Sequence, residues 1–509
     1  PNQPEFDLAT GTQTVYGGHS HWATAGYFGR INYDWKGLWL LEMNGRFDGS
    51  SRFPAHSRWG FFPSGSVGYR FSEENYFEPL RSVVSNGKLR ASFGAIGNEA
   101  IGSQNLFIST IGSTTVDWID PETGNKMSGF GIPSLVSKTL TWERVETLDL
   151  GIDLGFFNNT LSLGFDWYQR YTKDMLAPGE VKPGMLGVSA PKTNAGSLRT
   201  RGWELSVDYR NRFGEVDVYG NFNIGDYETY VMQWKNDTGI LSSYYSGQRI
   251  GDIWGFETDR LFTKEDFTYD SEGNVTGYAP NVASQEKLQS GNFVFGPGDI
   301  KFKDLDGNGV IDGGKSTATD HGDLTVIGNR TPRYQYSFRL GAAWKGFDID
   351  MYFQGVGKWQ QWTTSAFVIP FARGVDGIYA NMTDYYTPEN ENYNAFYPRM
   401  YSGNGASGNI SGIGYGRNNF YPQSRYLLDR SYLRFKTLTV GYTIPNKLTK
   451  KVFIENLRVY FTANNLCELI NNSFAPLDPE IDGTVGTDGS WGRTDPYTRS
   501  MSGGIQVTF

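Results

Sequence analysis

The sequence predicts an all-β fold, an antiparallel β-barrel that spans a membrane, and three observations carry that expectation. Roughly thirteen segments alternate apolar and polar residues with a period of two, which sends successive side chains to opposite faces of a strand. Short and long connections between those segments also alternate. The third observation is the chemistry of the faces. In 347–354 the odd positions Phe347, Ile349, Met351 and Phe353 are apolar, while the even ones are Asp348, Asp350, Tyr352 and Gln354. A packed soluble interior has little use for rows of charge, whereas a barrel with lipid outside and water inside requires them.

The same pattern recurs in chain order. Leu148, Leu150, Ile152 and Leu154 alternate with Asp149, Gly151 and Asp153. Leu161, Leu163, Phe165 and Trp167 alternate with Ser162, Gly164 and Asp166. Tyr334, Tyr336, Phe338, Leu340, Ala342 and Trp344 oppose Gln335, Ser337, Arg339 and Lys345. Leu457, Val459, Phe461 and Ala463 oppose Arg458, Tyr460, Thr462 and Asn464. The last segment, 497–509, puts Ile505, Val507 and the terminal Phe509 on one face, and Phe509 resembles the signal read by the outer-membrane assembly machinery. Runs of about ten residues suffice for a tilted strand to cross a bilayer. Tyr33, Trp35, Trp167 and Trp344, near expected strand ends, read as interfacial girdle residues.

Tight links are expected at 35–37, 155–159, 213–214 and 345–346, with longer ones at 72–87 and 445–456. Between them lie long insertions at 99–137, 176–195, 228–332, 359–423 and 468–494, the outer-membrane pattern of short periplasmic turns and long extracellular loops. Counting back from a final strand that runs toward the periplasm places residues 1–18 in an extracellular loop. The strand number is then odd, so closure of the barrel calls for strands from other sequence or another chain.

Composition agrees with this class. The 509 residues include 64 glycines, 16% aromatics and one cysteine, Cys467, which excludes an internal disulfide. A net charge of −8 argues against nucleic acid, which needs clustered Lys and Arg. No run approaches the roughly 18 apolar residues of a membrane helix, which says nothing against barrel strands.

Residues between the strands carry a family resemblance. Arg46 to Phe53, Arg58 to Ser64, Leu89 to Gly94 with Gly97 and Asn98, Thr172 to Leu176, and Gly196 to Leu198 with Arg201 to Leu205 follow in order. Gly298 to Asp304, Ser431 to Arg434, Gly441 to Pro445, Leu457 to Tyr460 with Asn465 and Leu466, and Asp478-Pro479-Glu480 complete the set. Together they resemble SusC-like TonB-dependent transporters over nearly the whole chain. The resemblance implies about the last thirteen strands of a 22-stranded outer-membrane barrel, with the plug domain and the TonB-contacting segment finding no match in this chain. It further implies a SusD-like surface lipoprotein as partner, coupling to TonB through the plug region, and import of oligosaccharides or, alternatively, peptides.

One local constellation carries metal chemistry. Asp304, Asp306, Asn308 and Asp312 place oxygens at positions 1, 3, 5 and 9 of an EF-hand-like loop, with Gly309 at 6 and the Val310 carbonyl at 7. Position 12 is Lys315, where the resembled family tends to place an acid; Asp323, or Asp320, returns to fill the gap. Ca²⁺ in a structural role is the expected ligand, Mg²⁺ or an unmetallated Asx-rich turn the alternatives. Two nucleotide-like matches are decoys: 309–316 fits a P-loop pattern without a preceding strand or following helix, and 403–408 fits G-x-G-x-x-G within a Gly/Ser/Asn-rich loop. His19 and His21 read as loop-edge residues, and neither His56 nor His321 has a nucleophile partner, so an enzyme is not expected.

Loop aromatics Trp118, Tyr244, Tyr245, Trp254, Trp359, Trp362, Tyr415 and Trp491 are the candidate substrate contacts, since ring faces stack on sugars or peptide side chains. Loop packing or contact with a lid is the competing role. A siderophore receptor, a surface adhesion barrel and a soluble glycan-binding β protein are the rival functions.

Overall fold

The computed structural model describes residues 21–100, 106–179, 183–291, 293–363, 365–371, 377–401, 417–481 and 497–509. Its dominant element is one thirteen-stranded sheet whose strands follow chain order, every neighbouring pair antiparallel. The strands are β1 (Thr24–Trp35), β2 (Trp39–Ser50), β3 (Trp59–Tyr69), β4 (Val84–Asn98), β5 (Glu143–Phe156), β6 (Leu161–Pro178) and β7 (Lys192–Phe213). They continue as β8 (Val216–Gln233), β9 (Arg333–Trp344), β10 (Phe347–Lys358), β11 (Tyr432–Ile444), β12 (Asn456–Asn471) and β13 (Ser500–Thr508). No helix is long and apolar enough to cross a membrane, which has no bearing on strands. Among the described residues β1 and β13 each pair on one side only.

Register turns the period-two pattern into two chemically distinct faces. On one, Phe338, Phe353 and Phe435 lie side by side on β9, β10 and β11, their rings 4.5 and 4.4 Å apart. On the other, Asp350 accepts from Arg339 at 2.7 Å and from the Tyr219 hydroxyl, and Asp348 pairs with Arg458. Arg90 of β4 holds both Asp153 of β5 at 2.8 Å and Asp166 of β6 at 2.9 Å. Tyrosines on this polar face lie flat over glycines of the next strand. A Cβ on Gly202 would meet the Tyr168 ring at 2.5 Å, which explains the glycine between Arg201 and Trp203.

The tight links form as expected. Lys345 (φ 47°) and Gly346 (φ 91°) make a two-residue turn with both residues left-handed, which suits the twist of a hairpin. Lys36 and Gly37 are left-handed as well, in the three-residue link between Trp35 and its partner Trp39. Three expectations need correction. The β2–β3 connection, 51–58, is short although it lies on the long-loop rim, so the alternation of lengths is not complete. Strands β6, β7, β8 and β12 run into the expected insertions, through Pro178, from Lys192, through Gln233 and through Asn471. Above the bilayer both faces meet water, so alternation fades while backbone pairing continues. For the same reason Trp167, opposite Leu150 and Trp203, lies well inside the 18-residue β6 and not near its end. Residues 1–18 lie outside the described residues.

The long connections β8–β9, β10–β11 and β12–β13 pack together into a cap with its own core. Phe256, Leu261, Phe302, Ile311, Val368 and Leu428 are among its buried residues, and Ala475 joins from the last connection. Short strand pairs support it, including Asp252–Phe256 with Leu324–Asn329 and Thr258–Leu261 with Ile300–Phe302.

Candidate substrate path and metal site

The cap is tied to the sheet by residues whose pairing sequence spacing hides. Arg434 of β11 is almost fully buried and holds Asp478 at 2.7 Å, Glu480 at 3.5 Å and Glu468. Lys436 takes Glu480 at 2.6 Å, and Arg430 donates to the Pro479 carbonyl at 2.9 Å. The two motif segments 431–434 and 478–480 are therefore one clamp. Asp299, fully buried, accepts from the Gly296 amide at 2.9 Å, from Asn419 at 2.8 Å and from Tyr401. Burial pushes its carboxyl above the ordinary carboxylate range, against the pull of Arg399.

Where the cap meets the sheet there is a cavity of about 570 Å³. Its walls bring together three of the candidate aromatics, Tyr244, Trp359 and Trp362. Trp359 is stacked under the Arg430 guanidinium, 3.5 Å from its ring centre, and its indole N–H donates to the Arg330 carbonyl at 2.9 Å. Trp362 packs on its other side against the cap core, and Tyr244 meets Trp234 edge-on at 5.2 Å. The other candidates are elsewhere. Tyr245 is half-buried and does not line the cavity, Trp254 packs on His321 at 5.2 Å, and Trp118 is exposed on the separate hairpin Ser113–Ile119 with Lys126–Phe130. Tyr415 and Trp491 lie outside the described residues, as do His19 and 403–408.

A second concavity, about 480 Å³, opens on the polar face of β6 to β10, lined by Asp166, Glu204, Asn223, Gln335 and Gln354 among others. Tyr227 belongs to the walls of both spaces. An ion-pair relay runs through the residues that flank it in the chain. Asp252 pairs with Arg249 at 2.9 Å, Arg249 with Glu228 at 3.2 Å, Glu228 with Arg333, and Arg333 with the buried Asp226. Its first member lines the cavity and its last lines the groove. Sequence reasoning missed the relay, because Asp226 and Arg333 are 107 residues apart.

The acidic loop forms the turn its glycines require, with Gly307 (φ 73°) and Gly309 (φ 82°) left-handed. Ligand oxygens of Asp304, Asp306 and Asp323 come within 4.8 Å of one another. Asp323 is fully buried and accepts the Leu305 and Asp312 amides at 2.7 and 3.0 Å; burial pushes its carboxyl up, and Asp306 adds to that. Asp312 turns instead to Lys287, Asn308 accepts the Val310 amide at 2.7 Å, and Asp320 pairs with Lys315 at 3.2 Å. The fit to a hard cation is good: three carboxylates converge, one of them dry, and like charges this close repel unless a cation lies between them. Residues 309–316 are flanked by turns, without the strand and helix of a P-loop.

Comparison with known proteins places this architecture. Residues 1–466 match the model of the family described as TonB dependent receptor-like, beta-barrel. TonB-dependent receptor P3 of Formosa agariphila is 28% identical over 89% of this chain and 41% of its own length. TonB-dependent receptor SusC of Bacteroides thetaiotaomicron is 26% identical over 98% of this chain and 45% of its own. The chain thus spans under half the length of these curated relatives. The structure of the RagAB peptide transporter superposes with a TM-score of 0.69 at 21% identity, over 96% of this chain and 48% of that one. The chain belongs to the TonB dependent receptor-like β-barrel family, resembles its SusC-like members, and has its place in the outer membrane of a Gram-negative bacterium.

Proposed function

We propose that this chain forms part of the wall and the extracellular cap of an outer-membrane importer of oligosaccharides. The observation that carries the reading is a mouth cavity walled by Tyr244, Trp359 and Trp362 that shares the wall residue Tyr227 with the polar groove of the sheet. Aromatic walls suit the C–H faces of sugars, and the groove offers amides, carboxylates and hydroxyls for exchange during passage. No bond is broken; the family is one of receptors and transporters, not of enzymes. A plug gates the path and TonB supplies the energy. Further strands complete the barrel, because unpaired backbone groups at the edges of β1 and β13 would each cost several kcal/mol in hydrocarbon.

A SusD-like surface lipoprotein closes the mouth. The exposed Trp118, Phe130 and Met185 on the long-loop rim support a covering partner, since a water-facing apolar patch is costly. A bound Ca²⁺ held by Asp304, Asp306 and Asp323 pins the β8–β9 connection in shape.

Deleting the gene and following uptake of labelled neutral oligosaccharides and of labelled peptides tests the substrate. Loss of oligosaccharide uptake alone is expected. Loss of peptide uptake alone would overturn the reading in favour of peptides, for which the exposed Arg330 and the Asp252 carboxylate in one cavity are the supporting pair.

A further inference from the structure

The mouth cavity contains one acid whose two oxygens are treated differently. Asp252 Oδ1 receives every donor the structure gives this carboxylate: Arg249 Nε and Nη2, each at 2.9 Å, and Asn329 Nδ2 at 2.8 Å. Among the described residues Oδ2 accepts no hydrogen bond, and the side chain keeps 11% of its surface exposed where it lines the cavity. The donors themselves are fixed. Arg249 is also bound to Glu228 at 3.2 Å, and Asn329 donates to the Ile250 carbonyl at 3.0 Å, so both donors are held from a second side. Within the relay three carboxylates, Asp226, Glu228 and Asp252, meet two guanidiniums, Arg249 and Arg333. Arg330 and Arg430 are the other charged residues of the cavity wall, so Asp252 is its one carboxylate among the described lining residues.

From this arrangement we infer that Asp252 is a ligand-reading residue, whose Oδ2 accepts a hydroxyl hydrogen bond from an uncharged, hydroxyl-rich sugar seated between Trp359, Trp362 and Tyr244. Arg249 and Asn329 are positioning residues that aim it. A carboxylate acceptor beside aromatic walls selects hydroxyl donors and disfavours a carboxylate or sulfate at the same spot, because like charges repel in a partly dry cavity. The inference rests on the oligosaccharide reading above and narrows it to neutral glycans.

The test uses the full-length transporter, purified in detergent with whatever accompanies it, and fluorescent neutral oligosaccharides of four to eight hexose units beside their per-O-methylated, carboxylated and sulfated counterparts. Wild type is expected to prefer the free-hydroxyl neutral set over the O-methylated set by about tenfold or more, the strength of one hydrogen bond to a charged group. Asp252→Asn, which keeps an acceptor but loses the charge, should weaken that preference, and Asp252→Ala should abolish it, while binding of the O-methylated set changes little. Asn329→Ala should reduce the preference without abolishing it. An Asp252→Asn variant that weakens both sets equally, with an unchanged thermal transition, would reduce the residue to a structural strut and overturn the inference. So would tighter binding of carboxylated or sulfated sugars that is lost in Arg330→Gln. If no oligosaccharide binds wild type and a peptide panel does, the underlying substrate reading fails instead, and the two failures are distinguishable.

Discussion

The thirteen-stranded sheet and the cap above it use the same apolar side chains in opposite ways. On the sheet, Ile31, Met43 and Ile505 are 69%, 64% and 68% exposed, while in the cap Leu261, Phe302 and Ile311 are at or near zero. The solvent explains the difference. Hydrocarbon wets the outer face of the sheet, so apolar groups gain nothing by turning inward there; water surrounds the cap, which must bury its own. One chain therefore folds under two rules, and each region should respond to mutation according to its solvent.

The largest contrast should come from the aromatic residues. Phe302→Ala in the cap leaves a cavity in a dry core and should cost the cap about 3–5 kcal/mol. Proteolysis should then cut the β8–β9 connection readily, while the heat-modifiable gel shift of the barrel stays unchanged. Global loss of the barrel would show that cap and sheet do not separate. Next comes Phe353→Arg, which places a charge on the lipid face between Phe338 and Phe435 and should cost about 2–4 kcal/mol in unfolding from lipid vesicles. Ser337→Arg, on the polar face of β9, should cost well under half of that.

Metal removal sharpens the comparison from the cap side. Chelation should raise protease sensitivity around 304–323 and leave the strands untouched, with about one divalent ion per chain lost by elemental analysis. Absence of any divalent ion would sink the assignment. The smallest effect is expected for Asp266. Burial alone would raise its carboxyl, yet Arg260, the Thr263 amide and Lys301 hold it down to about 2. A carboxyl depressed below its unfolded value of about 3.9 stabilises the fold above that pH, and the contribution is lost as pH falls through about 2. The protease resistance gap between wild type and Asp266→Asn should thus be present at neutral pH and close between about pH 4 and pH 2.

What the sequence reveals follows from the same division. Strand alternation is a local signal, so Asp348, Asp350 and their apolar neighbours show the sheet directly, and Lys345-Gly346 shows its turns. The cap is built from contacts between residues more than a hundred positions apart, such as Asp299 with Asn419, and no window of sequence contains them. Strand ends beyond the bilayer were hidden because both faces there meet water. In the acidic loop the spacing put Asp304, Asp306, Asn308 and Asp312 together and offered Asp323 for the last position; Asp304, Asp306 and Asp323 do converge, but the diversion of Asp312 to Lys287 depends on a residue 25 positions upstream. Aromatic composition named Tyr244, Trp359, Trp362 and Trp254 alike, and could not show that the first three share one cavity wall while Trp254 packs on His321.

The most direct measurement places single nitroxide labels at each position from 347 to 354 in a background lacking Cys467, with the protein reconstituted in lipid. Access to oxygen, which concentrates in hydrocarbon, should be high at 347, 349, 351 and 353, and access to a water-soluble nickel chelate high at 348, 350, 352 and 354. Low access to both reagents at the odd positions would put that oily face in a dry interior and contradict a membrane barrel.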